Sequence, residues 1–269
     1  MSIDENLRGA LAATVALAAL LATSHAAAQP AAAAAAAAEP ARTYAIVSLI
    51  GDDFTVTSRR PEVGTNLNPN ERTVLPVSDA VFDRIAAAEL EQLLLRARPG
   101  TPVLRALIRD PRLFALQDKL LTESPESHDM RIALRELLAK AGATDLFLVT
   151  KHRGTPTFKL VTGKLDGPGS IGGIGFYIDN QTHLYNTKTK VQDEGFLAPY
   201  AYLAVSLMDI ASMRVVKSGN GHETTTAIAA EKGGAAHAWD ALSPKEKVDA
   251  LDQVIRLAID TGATGMIPE

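Results

Sequence analysis

The 269-residue chain has no cysteine. That excludes disulfides, thiol nucleophiles, Cys-ligated zinc, iron–sulfur clusters and a lipid-modified amino-terminal Cys. Aromatic residues are scarce, at 5% with a single Trp, so much of the 46% apolar content is alanine. Charge of one sign is also missing. Lys+Arg 27 stand against Asp+Glu 31, a formal net charge of −4 with pI near 5.9, which argues against a nucleic-acid-coating protein. The small-apolar run from Gly9 to Thr23 falls short of the roughly 20 residues that a bilayer-spanning helix needs. What remains is ample for a hydrophobic core of one or two domains.

The short run instead suits the core of a secretory signal. Arg8 precedes it, and Ala26-Ala27-Ala28 offers a small-residue cleavage site before Gln29. Residues 1–28 are therefore expected to be a signal peptide, which implies a periplasmic or secreted protein with no transmembrane span after its removal. Residues 29–41 are alanine bracketed by prolines, without a patterned face to bury, and read as a linker. The folded domain is expected over 42–269.

Within it, Thr43 to Ile50 reads as a buried strand closed by Gly51, continued past a bend by Asp52 to Ser58. Arg59 to Pro76 reads as a loop. Ser78 or Asp79 can cap a helix with Phe82, Ile85, Ala86, Leu90, Leu93 and Leu94 on one stripe. Leu104, Leu107 and Ile108 suggest that a helical pattern restarts before Asp110-Pro111. A helix through Ile132, Leu134, Leu137 and Leu138 ends at Gly142, and Thr144 to Lys151 is a second buried strand. Antiparallel strands are expected at Ile174 to Ile178, Leu184 to Thr189, Tyr200 to Met208 and Met213 to Ser218. The region near 219–238, rich in Gly, Thr and Ala, reads as a long flexible loop. Ser243-Pro-Lys-Glu246 spells a capping box with Pro at the first helical position. This order predicts an α+β fold, a mixed and partly antiparallel sheet with helices packed on one face.

Three of these segments carry a family resemblance. Tyr44-Ala-Ile-Val-Ser-Leu-Ile50, Gly142-Ala-Thr-Asp-Leu-Phe-Leu-Val149 and Leu203-Ala-Val-Ser-Leu-Met-Asp-Ile210 with Met213-Arg-Val-Val-Lys-Ser218 are similar to the signature strands of an envelope fold. That fold is shared by the TolB amino-terminal domain, the curli-secretion component CsgG and the LpoB activators of peptidoglycan synthases. The resemblance covers about half of the domain. CsgG and LpoB relatives are typically lipoproteins, whereas this chain has no Cys to acylate. It implies a non-enzymatic protein-binding or assembly module whose partner is an envelope protein or cell-wall component, with an oligomer compatible.

Candidate chemistry is sparse. Gly51-Asp52-Asp53 follows the first strand where Gly-Asp-Ser hydrolases keep their serine, but Asp53 stands in its place. The alternative reading is a hydrolase in which Asp52, Asp53 and His152 converge at strand ends. Gly167-Pro-Gly-Ser-Ile-Gly172 satisfies G-x-G-x-x-G, yet a strand pattern follows where a dinucleotide site needs a helix. His128, His152, His183, His222 and His237 include no pair four apart and no His-Glu-x-x-His, so no metal and no cofactor is expected. The basic stretch Lys151-His-Arg153 with Lys159 and Lys164 reads as solvated charge. The Gly-aromatic residues Ile174, Phe176, Tyr177, Tyr185, Phe196, Tyr200 and Tyr202 are the expected docking edge for a partner strand.

Overall fold

The computed structural model describes residues 42–60, 70–160, 163–185, 192–228 and 238–267. The expected signal peptide and linker lie outside these residues. The compact unit begins at Arg42.

β1 (Tyr44–Ser48) is buried at every position. A continuous β-rich apolar run is what a strand covered on both faces requires. Gly51, at φ +82, turns the chain into β2 (Asp53–Arg59), which makes a hairpin with β3 (Asn70–Pro76). There follow α1 (Val81–Ala97), β4 (Val103–Ala106), two short helices α2 (Pro111–Ala115) and α3 (Gln117–Leu120), and α4 (His128–Lys140). β5 (Asp145–Lys151) leads into β6 (Arg153–Gly154) and the small hairpin of β7 (Thr157–Leu160) and β8 (Gly163–Asp166). The long strands β9 (Ile171–Tyr185), β10 (Gln192–Asp209) and β11 (Arg214–Thr224) precede β12 (Ala227–Ile228) and α5 (Pro244–Ala263).

The main path of the sheet is β3-β2-β9-β10-β5-β1-β4. β10 organises it. One edge of β10 carries β9 along residues 192–202 and β5 along 203–209, both antiparallel, while β11 and β12 pair with its other edge. β1 runs parallel to β5, and β2 parallel to β9. β1 and β2 thus form one bent ribbon, and β5 and β9 form another, interrupted by residues 152–170. The three segments Tyr44–Ser48, Asp145–Lys151 and Leu203–Asp209 are immediate neighbours in one sheet.

Helices cover both faces rather than one. Alternation along the strands divides the core. Tyr44, Ile46, Phe147, Val149, Leu203 and Val205 pack under α1 and α5. Ala45, Val47, Leu146, Leu148 and Met208 pack under α2, α3 and α4. The sheet remains mixed, with parallel and antiparallel pairs, and the fold is α+β. α5 begins with the capping box, Ser243 Oγ accepting from Glu246 N–H and the Glu246 carboxylate accepting from Ser243 N–H.

Four local expectations are corrected. Val103–Ala106 is a strand parallel to β1, not a helix, because partnership with β1 overrides a weak helical period. Asn70–Pro76 of the expected loop forms β3. Neither Ser78 nor Asp79 caps α1; Ala80 occupies the cap position in the left-handed region without a side-chain cap. Residues 219–224 of the expected flexible loop are strand β11, in register with Tyr200–Val205. Its remainder at 229–237, and residues 186–189 of the expected strand Leu184 to Thr189, lie outside the described residues.

Candidate functional site

The elbow between β1 and β2 gathers the carboxylates of the hydrolase reading. Leu49 N–H bonds Val149 O, holding the chain to β5, and Val77 N–H bonds Asp52 O, tying the elbow to the end of β3. A side chain at Gly51 would press on Phe114 of α2, 3.3 Å away, besides requiring a left-handed backbone. Beneath the elbow lies Asp83 of α1, buried at 2% exposure. Its Oδ1 accepts from Ser48 Oγ at 2.6 Å, Ile50 N–H at 2.9 Å and Gly51 N–H at 3.3 Å. Burial pushes the Asp83 carboxyl above the ordinary range, with nearby Asp52 adding to the rise, and these donors only partly offset it. The arrangement is a brace for the bend in the ribbon. Asp83 was not anticipated, although an Asp in the first turn of an apolar-striped helix was its visible signal.

The hydrolase residues do not converge. Asp52 is exposed, and Asp53 pairs with Lys151 Nζ. His152 turns its ring nitrogens to the backbone carbonyls of Arg153 and Gly221, at 3.1 and 3.4 Å, and lies against Tyr202. No group of three His, Asp or Glu side chains suited to a metal occurs among the described residues. His222 contacts the same Tyr202 ring from β11, and His128 opens α4. The side chain of His183, and His237 altogether, lie outside the described residues. Gly167 to Gly172 joins β8 to β9 and leads into a strand, as its pattern indicated.

The expected aromatic docking edge is core. Ile174, Phe176, Tyr177, Phe196, Tyr200 and Tyr202 are each at most 2% exposed. On one face Phe176 meets Phe54 and Trp239, edge to face. On the other the β7–β8 hairpin seats Phe158 against Tyr177 at 4.7 Å and Phe196 at 5.2 Å. Tyr202 Oη donates to Thr155 O and accepts from Thr157 N–H, which fixes the hairpin to β10. Burial raises the Tyr200 and Tyr202 phenols above their ordinary range. Tyr185 pairs with Gln192 in the β9–β10 ladder, and its side chain lies outside the described residues. The physical reason for the correction is cover on both faces: Ile174 and Phe176 pack into the core under α1 and α5, and the β7–β8 hairpin folds back over Tyr177, Phe196, Tyr200 and Tyr202.

A second brace stands where β9 bends. Asp179 accepts from Thr182 Oγ1 and N–H, Gln181 N–H and Arg59 Nη1. Burial alone would raise its carboxyl, but these donors outweigh that cost and hold it below the ordinary range. Opposite it Gly195, at φ +83, marks a β-bulge; a Cβ there would lie 2.6 Å from Asp179 O.

A cleft of about 370 Å³ lies between the carboxy-terminal ends of α1 and α5, lined by residues such as Leu93, Arg96, Asp260 and Ile267. None of the candidate site residues named from the sequence lines it.

No family model matches the chain, and no curated protein matches it. Among solved structures it is similar to protein XCC0632 from Xanthomonas campestris, of the DUF330 family. That match has a TM-score of 0.32 and 10% identity over 83% of each chain. It is similar also to the hypothetical protein CT253 from Chlamydia trachomatis, with a TM-score of 0.28 and 12% identity over 82% of this chain and 98% of that one. Likeness at this level carries no functional argument. What is defined is the class: an α+β protein with a mixed sheet wrapped on both faces.

Proposed function

We propose that the chain is an exported, non-enzymatic envelope module that acts by binding a protein or cell-wall component in an assembly or accessory role. One observation carries the reading. The three segments that resemble the TolB, CsgG and LpoB signature strands lie side by side as β1, β5 and β10. The turn that follows the third strand is closed by Asp209, whose Oδ1 accepts from Ser212 N–H and Oγ. The leader-like run at Gly9 to Thr23 supplies the export half of the reading. The hydrolase alternative gains no support from Asp53 and His152, which are engaged with different partners.

Fractionation of the native host with amino-terminal sequencing of the mature protein tests export; the expected new terminus is Gln29. Affinity capture from envelope extracts tests the binding role. A protein confined to the cytoplasm with Met1 intact, or one that retains nothing specific, contradicts the proposal.

A further inference from the structure

With the aromatic edge consumed by the core, recognition falls to the rim of the sheet. Among the described residues three strands longer than two residues border it, β3, β11 and β4, and the first two are closed off. β3 spends Asn70 and Arg72 on the carbonyls of Pro168 and Ser170 and finishes in Pro76. β11 is tied at one end to β7, Lys159 N–H donating to Thr224 Oγ1 and Thr224 Oγ1 to Thr157 O, and is broken at the other by a register shift opposite Leu207 and Met208, which twists an edge away from pairing. β4 differs. It is in regular register with β1, and among the described residues nothing pairs with its other side. Alternate N–H and C=O groups of Val103–Ala106 therefore point outward.

The charge around this edge is distinctive. Residues 96–112 hold five arginines, Arg96, Arg98, Arg105, Arg109 and Arg112, against one acid, Asp110, in a chain whose net charge is −4. Arg96, Arg105, Arg109 and Arg112 are exposed. Three of these touch carboxylates: Arg96 with Glu89 at 3.5 Å, Arg105 with Glu91 at 3.4 Å and Arg112 with Asp110 at 2.6 Å. The guanidinium ends of these pairs are solvent-exposed, and surface pairs of this kind are worth about 0–1 kcal/mol, so the arginines can turn to a partner's carboxylates. Arg109 pairs with no carboxylate among the described residues.

We infer that the open edge of β4, rimmed by Arg105 and Arg109, receives an extended acidic segment of a partner protein by strand addition. The inference rests on the protein-binding role proposed above. Main-chain hydrogen bonds to β4 supply affinity, and the arginines choose an acidic strand. The same charges disfavour pairing with β4 of a second copy, since like charges would face one another.

The probe is a fluorescent nine-residue peptide of alternating Val and Glu, titrated against the full chain by anisotropy. Binding is expected to weaken at least tenfold in Arg105→Glu/Arg109→Glu, and at least tenfold when alternate peptide nitrogens are methylated. Arg109→Glu alone, which breaks no ion pair among the described residues, is expected to weaken it several-fold with unchanged thermal unfolding. No binding, or binding indifferent to methylation or to the arginines, overturns the inference. So does arginine-dependent binding to anionic phospholipid vesicles in place of the peptide. In envelope capture, equal retention of a partner by wild type and double variant removes β4 while sparing the binding role; retention of nothing by either removes the role itself.

Discussion

Glycine does opposite things at different places in this chain. Gly221 sits where α5 crosses β11 so closely that a Cβ would lie 1.8 Å from Ala258 O, and at Gly219 it would lie 2.5 Å from Gly262 O. Gly142, by contrast, has open space around it but a φ of +82. Gly221→Ala is expected to cost about 3 kcal/mol or more through overpacking. Gly142→Ala should cost about 1–2 kcal/mol from the left-handed backbone alone. Urea denaturation of the two variants separates these cases, and equal costs would contradict the close packing. Ser206 makes a third test. Its Oγ is buried without a partner among the described residues, so Ser206→Ala should leave stability unchanged or raise it by about 1 kcal/mol. At this scale the sequence was legible only where chemistry is local. Ser243 and Glu246 announce their own capping box. Gly219 and Gly221 suggest looseness, because the helix that demands them lies some 40 positions further on.

Two buried carboxylates brace the bent ribbons, and their signs differ. The folded pKa of Asp83 is raised, so between its unfolded and folded values the native state binds the proton that the unfolded state has released. Its contribution to stability is full below the unfolded pKa, near 3.9 for a free Asp, and declines as pH rises through the folded value. Asp179 is depressed, so its contribution is present above the unfolded pKa and is lost as pH falls through the folded value. The stability difference between wild type and Asp83→Asn should therefore shrink or turn negative as pH rises above about 4. The difference for Asp179→Asn should shrink as pH falls below that point. Thermal unfolding across pH 2.5–8 checks both; parallel slopes for the two variants would contradict the braces. Elements themselves were legible in proportion to their length and burial. β1, β5 and α5 follow from apolar period and end signals, and the bend into β2 from Gly51. β4 was not, because four residues with Leu104, Leu107 and Ile108 nearby suit a helical period until β1 supplies the partner.

At the scale of the whole described domain the sheet has helices over both faces, and the aromatic residues expected at its rim, Tyr185 apart, are buried in its core. Ile174 and Phe176 read as an adaptable rim because the helices that cover them lie far off in sequence, and Tyr177 and Phe196 because the residues of β7 and β8 have no strong pattern of their own. Folded, those residues bring Phe158 down onto Tyr177 and Phe196. Phe158→Ala is expected to cost about 3–5 kcal/mol and to expose the Tyr177 cluster to quenching of its fluorescence. Retained stability would mean that the hairpin is an ornament rather than a lid on the core. The candidate site was the least legible feature. Asp52 and Asp53 stand out in the chain, whereas the partner-facing edge proposed here depends on β4 being last in the sheet, which no local pattern reveals.

Backbone NOE spectroscopy on the deuterated protein offers the most direct test. Cross-strand amide contacts should join Tyr44–Ser48 to Asp145–Val149 in parallel register, and Asp145–Lys151 to Leu203–Asp209 in antiparallel register. Absence of either set, or contacts placing any of the three segments in a separate sheet, would contradict the account.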